Sequence, residues 1–282
     1  MIGIFDSGLG GLTVLRALMA RFPQQSFIYL GDHAHMPYGD RPSEHVIELT
    51  RACSQHLFER GCKLVLLGCN TATAVAARTL QRNWLPQTVW KTHGHNILGI
   101  VAPTVEAATQ TPWAVTTPKY PQSYISDRIA VFGTTRTISS NVYADEIKKR
   151  CPKVRVIQQA CSSLAGAIEL QASREDLTGL VIAGIEGVLK QTGGVAPHRA
   201  ILGCTHFPLV EDLFKEHLPP STVILSQPEV VADSMEDYLS RRPQYARPSP
   251  EPSLMLLTTG DPDEISVRAR VFWPDCPGFQ QA

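Results

Sequence analysis

The stretch LVLLGCNTATA, residues 64–74, joins four apolar residues to a glycine, a thiol and a run of small and polar side chains. The apolar run predicts a buried strand that ends before Gly68, and the residues after Cys69 predict a helix. A second stretch, RAILGCTHFP at residues 199–208, has the same order of apolar strand, glycine and Cys204. Buried strands that lead into helices predict an α/β fold.

The same alternation runs through most of the chain. Apolar stretches such as IGIF at residues 2–5 and RIAVFGTT at residues 128–135 predict further strands, and segments with helical spacing lie between them. Strands and amphipathic helices in this order indicate mostly parallel sheets with helices on both faces. Two polar stretches, residues 84–96 and 111–127, break the pattern and predict long loops.

The composition disfavours several classes of protein. The 282 residues carry 26 basic and 26 acidic side chains, a zero balance that gives no support to nucleic-acid binding. No apolar run approaches the ~18 residues of a membrane-spanning helix, and the first residues do not resemble a signal peptide. Seven cysteines without a C-x-x-C pair are typical of reduced thiols and disfavour a zinc site. We therefore expect a cytoplasmic protein without a metal ion, a nucleic-acid partner or a membrane.

The two cysteines that end apolar strands, Cys69 and Cys204, indicate a site. Sites in open α/β sheets form at the carboxyl ends of the strands. One buried cysteine is commonly just a small apolar residue, but two in matching contexts favour a shared function. A redox disulfide or a single nucleophile is an alternative. A pair of thiols suits two-base racemisation, in which one thiolate removes a proton from carbon and the other thiol returns one to the opposite face.

Two further residues are candidates to assist these thiols. Asp6 stands at the end of the first predicted strand, where it either orients a thiol or caps the first helix. His206 follows Cys204 by two residues and either shares a proton with that thiol or is a structural histidine. Such a reaction needs no cofactor if hydrogen bonds in a dry site stabilise the carbanion.

Uncharged donors follow both thiols. Asn70, Thr71 and Thr205 stand at predicted helix starts, where they either bind a carboxylate and an amine or cap the helix. The glycines after Ser7 are not a dinucleotide-binding fingerprint, because Thr13 stands where the third glycine is required. The sequence therefore predicts no nucleotide site.

Five motifs together resemble the aspartate/glutamate racemase family, and in particular its glutamate branch. They are FDSGLGGLTVL (5–15), YLGDHAHMPYG (29–39), GCNTATA (68–74), GTTRTISSNVY (133–143) and LGCTHFPL (202–209). They occur in the family's order and cover both halves of the chain. The resemblance implies a cofactor-independent 1,1-proton transfer that interconverts L- and D-glutamate and supplies D-glutamate for peptidoglycan.

The resemblance also implies roles for particular residues. Cys69 and Cys204 would be the two bases, assisted by Asp6 and His206. Glu169 keeps the family's spacing to a preceding cysteine, although the residues between depart from the usual pattern, and it is alternatively an exposed helix carboxylate. The residues implied to bind the amino acid are Ser7, Pro37, Tyr38, Gly39, Asn70, Thr71, Thr134, Thr137 and Thr205.

The implied architecture is two pseudo-symmetric α/β domains with the active site in the cleft between them. The first domain would comprise residues 1–97 and 208–282, and the second would comprise residues 98–207. The two thiols would then face each other, one from each domain.

Two other functions remain open from the sequence. One is a racemase of aspartate or another acidic amino acid. The other is a catalytically weak regulatory or binding paralogue that contacts a partner through the long loops. A homodimer is compatible with the sequence, which does not define the oligomeric state.

Overall fold

The computed structural model describes residues 1–115, 117–118 and 127–282, which form two compact units. Unit 1 comprises Met1–Ile100 and Val231–Ala282, and unit 2 comprises Val101–Val230. Each unit contains a parallel sheet flanked by helices, so the predicted α/β class is confirmed.

The described residues form strands that are mostly short and apolar, although the last, Gln280–Gln281, is polar and exposed. They are β1 (Ile2–Asp6), β2 (Phe27–Gly31), β3 (Leu64–Leu67), β4 (Asn96–Gly99), β5 (Arg128–Gly133), β6 (Arg155–Ala160), β7 (Arg199–Gly203), β8 (Val223–Leu225), β9 (Leu254–Thr258) and β10 (Gln280–Gln281).

The helices fill the connections between these strands. They are α1 (Leu12–Arg21), α2 (Ser43–Glu59), α3 (Asn70–Thr79), α4 (Val89–Thr92), α5 (Val101–Thr109), α6 (Thr135–Ser139), α7 (Val142–Arg150), α8 (Leu164–Glu169), α9 (Arg174–Thr192), α10 (Glu211–His217), α11 (Gln227–Arg241) and α12 (Pro262–Ala269). In the part of the chain that the structure describes, none of the helices has both the length and the apolar character needed to span a membrane.

Parallel pairing sets the order of both sheets. The sheet of unit 1 has the order β10-β9-β2-β1-β3-β4, and that of unit 2 has the order β6-β5-β7-β8. In unit 1, β1 lies between β2 and β3, with Phe5 opposite Leu67. In unit 2, β5 lies between β6 and β7, with Gly133 opposite Gly203. Because the strands are parallel, the polar residues that follow them lie at one edge of each sheet.

Two apolar cores support these edges. One packs α2 and α3 against the sheet of unit 1 and includes Phe5, Leu57 and Leu67. The other packs α5 and α7 against the sheet of unit 2 and includes Val131 and Ile201. The strands that carry the two thiols are therefore anchored in the interior of their units.

The position at which the chain passes from unit 2 back to unit 1 differs from the expected one. That return was expected after residue 207, but in the structure it falls after Val230. The reason is β8, which pairs with β7 and extends the second sheet, so residues 208–230 belong to unit 2.

The expectation of a loop at residues 84–96 is wrong. The segment contains two short helical turns, and its aromatic side chains surround one ring of α2. Trp84 stacks on Phe58 with ring centroids 6.2 Å apart, and Trp90 lies 5.7 Å from the same ring. Irregular spacing of the aromatic residues conceals this packing in the sequence.

The expected loop at residues 111–127 lies partly outside the described residues, which omit positions 116 and 119–126. At its start, the Arg150 guanidinium lies 4.3 Å from the centre of the Trp113 ring and donates to the Trp113 carbonyl.

The glycines before the two thiols are predicted to tolerate a methyl group differently. A Cβ at Gly203 would lie 2.9 Å from the Phe132 carbonyl oxygen, whereas at Gly68 the nearest atoms, on Ile4 and Phe5, are 3.3 Å away. Backbone inside a sheet ladder cannot easily shift. Gly203→Ala should therefore lower the free energy of unfolding by about 2 kcal/mol, and Gly68→Ala by about 1 kcal/mol. Denaturant unfolding of both variants measures this difference, and equal losses would contradict it.

Candidate active site

The first thiol lies at the start of α3. Gly68 N–H donates to the Phe5 carbonyl, which continues the contact between β1 and β3 by one residue. Cys69 follows as the N-cap of α3, and its Sγ accepts from Ala72 N–H at 3.4 Å. The Cys69 side chain is buried, with 6% of its surface exposed. This position matches the prediction of a thiol at the carboxyl edge of the sheet.

Asp6 and Ser7 lie beside this thiol. Ser7 Oγ is 3.2 Å from Cys69 Sγ, within hydrogen-bond distance. Asp6 is buried and its Oδ1 accepts from Gly8 N–H at 2.7 Å. A Cβ at Gly11 would lie 2.7 Å from Asp6 Oδ2, so the carboxylate also packs against the residue that precedes α1. The end of β1 therefore brings an anion and a hydroxyl to the first thiol.

Burial and the charge of Asp6 keep Cys69 protonated. Burial raises the pKa of the Cys69 thiol to about 12, and the negative charge of Asp6 raises it as well. The hydrogen bonds from Ser7 and from the backbone of Ala72 lower the pKa but do not offset the other two effects. At neutral pH the group is a thiol, able to donate a proton to a carbanion.

The other predicted binding residues of unit 1 fall into two groups. Asn70 and Thr71 are buried in the first turn of α3, directly after the thiol. Tyr38 is buried, whereas Pro37 is exposed and Gly39 is half-buried. The ring of Tyr38 packs into the core, so the turn presents mainly its backbone to the surface.

The second thiol lies at the end of β7. Cys204 is 5% exposed, and its Sγ is 3.7 Å from His206 Nδ1. His206 Nε2 lies 2.6 Å from Glu169 Oε1, and Glu169 is the last residue of α8. The Glu169 side chain is 7% exposed, so the alternative of an exposed helix carboxylate is wrong. The three predicted residues form one chain from thiol to imidazole to carboxylate.

The imidazole of His206 is held in its charged form. Burial lowers the pKa of His206, but the hydrogen bonds to Cys204 and Glu169 outweigh it and raise the pKa to about 10. A protonated ring donates from both nitrogens, Nδ1 towards the thiol and Nε2 towards the carboxylate. A cation therefore lies beside Cys204, whereas an anion lies beside Cys69.

Three threonines accompany the second thiol in unit 2. Thr134 follows β5 as the N-cap of α6, and its Oγ1 accepts from Thr137 N–H at 3.4 Å. Its hydroxyl also donates to Thr137 Oγ1 at 3.1 Å. Thr205 is buried directly after Cys204. In the structure, Thr134 is therefore a helix cap.

Two functional candidates were missed by the sequence analysis. Asp32, directly after β2, accepts from Tyr38 O–H at 2.6 Å, and Thr259, directly after β9, donates to Asp32 at 2.7 Å. Asp32 stands at the end of a strand inside the motif YLGDHAHMPYG, and that position was an available signal. No local sequence pattern marks Thr259, because its partner Asp32 is distant in the chain.

This arrangement, thiols with charged partners at the ends of parallel strands, indicates an acid–base enzyme. The family model described as Asp/Glu/Hydantoin racemase matches residues 13–233. The chain belongs to this family.

Individual relatives agree over the whole length. A glutamate racemase of Phenylobacterium zucineum is 46% identical, with 100% of this chain and 99% of the relative covered. The crystal structure of a Bacillus anthracis glutamate racemase isoform matches with a TM-score of 0.81 and 27% identity, covering 100% of this chain and 96% of that one. A Thermus thermophilus glutamate racemase in complex with β-chloro-D-alanine matches with a TM-score of 0.76 and 25% identity, with 100% and 96% covered.

Removal of the Glu169 charge should lower the pKa of His206. In the Glu169→Gln variant, the amide still accepts a hydrogen bond but no longer stabilises the imidazolium, so the pKa should fall below the value of about 10. Titration of the His206 ring resonances by NMR measures it, with the exposed Glu186→Gln as the matched control. An unchanged titration would contradict the coupling.

The same pair makes stability depend on pH. Folding raises the pKa of His206 above its unfolded value of about 6.5, so the imidazolium contributes fully below that pH and its contribution is lost as the pH rises towards about 10. Glu169→Gln should therefore lose less stability than the wild type across this window.

Removal of the Asp6 charge should lower the pKa of Cys69. Asp6→Asn keeps an acceptor for Gly8 N–H but removes the negative charge that opposes the thiolate. The pH dependence of thiolate absorbance measures this, with the Cys69→Ser form of each protein subtracted. An unchanged pKa of Cys69 in the Asp6→Asn variant would show that the Asp6 charge does not act on the thiol.

Proposed function

We propose that this protein is a glutamate racemase that exchanges the Cα proton of glutamate between Cys69 and Cys204 without a cofactor. The observation that carries the proposal is the pair of buried thiols with oppositely charged partners, Asp6 and His206. The Cys69 thiol is held as a proton donor, and Cys204 Sγ lies 3.7 Å from Nδ1 of the His206 imidazolium. A two-base racemisation requires one group that donates a proton and one that accepts a proton before the reaction starts in a given direction.

In that direction, the thiolate of Cys204 removes the Cα proton, and the electron pair remains on the substrate as a carbanion. The thiol of Cys69 then donates its proton to the opposite face of the same carbon. The reverse direction exchanges the two roles, so Cys69 must first become the thiolate. The raised pKa of Cys69 makes that thiolate strongly basic, which favours removal of a carbon-bound proton.

The His206 ring lies between the Cys204 thiol and the buried carboxylate of Glu169. When Cys204 gains a proton from the substrate, the imidazolium remains neutralised by Glu169 at 2.6 Å. The carboxylate thus orients the ring and holds its charge in both states of the thiol. Asp6 has the opposite effect on Cys69, since its charge favours the protonated thiol.

Neutral groups would hold the substrate. The proposed contacts are the residues Ser7, Pro37, Tyr38, Gly39, Asn70 and Thr71 of unit 1 and Thr134, Thr137 and Thr205 of unit 2. The N–H and O–H donors among these residues bind carboxylates without a fixed cation and stabilise charge that develops during proton removal, whereas Pro37 has only a carbonyl acceptor. The proposal requires one glutamate to be reached by both thiols. It places the protein in the cytoplasm, where its D-glutamate would supply peptidoglycan.

The test is deuterium incorporation at Cα. When wild-type protein acts on L-glutamate in D₂O, the D-glutamate formed should carry deuterium, whereas L-glutamate recovered early should not, because separate groups remove and return the proton. Cys69→Ser and Cys204→Ser should each lower racemisation in both directions by about 10³-fold. The half-buried Cys276→Ser is the matched control and should retain activity.

Three results would overturn the proposal. Normal racemisation by either serine variant would exclude the two-thiol mechanism. Exchange with aspartate or another acidic amino acid, but not with glutamate, would change the substrate. Absence of exchange with all acidic amino acids would favour a binding or regulatory protein.

A further inference from the structure

Asp32 is a buried carboxylate with several donors. It follows β2, and its N–H donates to the Asp6 carbonyl at 3.0 Å, so its backbone is fixed beside the end of β1. Its side chain is 1% exposed. Oδ2 accepts from Tyr38 O–H at 2.6 Å, while Oδ1 accepts from His35 Nδ1 at 2.8 Å and from Thr259 O–H at 2.7 Å. A buried charge persists only when such donors stabilise it.

Tyr38 is the anchor of its turn. Its ring is 1% exposed and packs against Phe5, with ring centroids 6.2 Å apart. Its hydroxyl is fixed on Asp32, so the side chain holds the short helical turn at Tyr38–Asp40 from the inside. Pro37 and Gly39 on either side are accessible. The position of the Pro37 and Gly39 backbone, which a ligand can reach, therefore depends on how firmly the Tyr38 side chain is held.

The support extends to the turn after β9. Thr259 donates to Asp32, and its Oγ1 accepts from Ala34 N–H at 3.0 Å. Next to it, Thr258 Oγ1 lies 2.8 Å from His33 Nδ1. Two consecutive hydroxyls thus hold the segment that connects β2 to the Tyr38 turn.

We propose that Asp32 is a positioning residue for substrate binding: through the Tyr38 hydroxyl it fixes the backbone of Pro37–Gly39 in the geometry that binds the amino acid. It acts without touching the substrate. This inference rests on the proposed function, in which that turn is part of the binding site. It adds Asp32, with Thr259 as its own support, to the residues on which substrate affinity depends.

The kinetic test uses Tyr38→Phe, Asp32→Asn and the double variant. Phenylalanine preserves the packed ring, and asparagine preserves the volume of Asp32, so each changes the hydrogen bond with little change of shape. Each single variant should raise KM for both enantiomers by about tenfold, the effect of losing one charge-assisted hydrogen bond, with kcat within about threefold. The double variant should bind no more weakly than Asp32→Asn alone, because Tyr38→Phe removes only a hydrogen bond that Asp32→Asn already weakens.

The matched control is Asp40→Asn, an exposed carboxylate in the same segment, which should leave KM unchanged. Hydrogen–deuterium exchange of residues 33–40 provides a readout that does not need activity: exchange should increase in Tyr38→Phe and Asp32→Asn but not in Asp40→Asn. Unchanged exchange would overturn the inference even if the wild type does not racemise glutamate. A lower melting temperature with unchanged KM, or a lower kcat with unchanged KM, would also overturn it. If exchange increases in Tyr38→Phe and Asp32→Asn but the wild type does not racemise glutamate, the proposed function is overturned instead.

Discussion

The parallel pairing of β1 with β3 and of β5 with β7 determines what surrounds each thiol. In unit 1, Phe5 lies opposite Leu67, and the next hydrogen bond joins Gly68 to Phe5, so the chain leaves both strands at the same level. In unit 2, Gly133 lies opposite Gly203 and has the same effect. Polar residues that follow neighbouring strands are therefore placed together before any of their own contacts form. A register shift of one residue between β1 and β3 would separate Cys69 from Asp6 and Ser7.

The two thiols occupy similar positions in the sheets but opposite electrostatic environments. Cys69 has a hydroxyl and the Asp6 carboxylate as neighbours, whereas Cys204 has the His206 imidazolium backed by Glu169. Here the Asp6 charge favours the protonated thiol at Cys69, whereas a cation lies beside Cys204.

Much of this was predictable because strand ends are visible as the limits of apolar runs. Cys69 and Cys204 were located in that way, and so was the α/β class. Contacts between distant residues were not predictable: Asp32 and Thr259 are 227 positions apart, and the burial of Glu169 depends on an imidazole 37 positions away. No local pattern encodes such a pair. Residues 208–230 were expected in the first domain for a related reason, because the sequence does not show that β8 pairs with β7.

The discontinuous composition of unit 1 has a consequence for the order of folding. Unit 2 is one uninterrupted segment, 101–230, whereas unit 1 needs residues 231–282 to complete its sheet. During synthesis from the amino terminus, unit 2 can fold while β2 still lacks its neighbour β9. The buried carboxylate of Asp32 meanwhile lacks Thr259, and the turn that it supports acquires this contact only after residue 259 has been made. The residues around Cys204 thus lie in one uninterrupted segment, whereas the support of the Tyr38 turn in unit 1 is completed last.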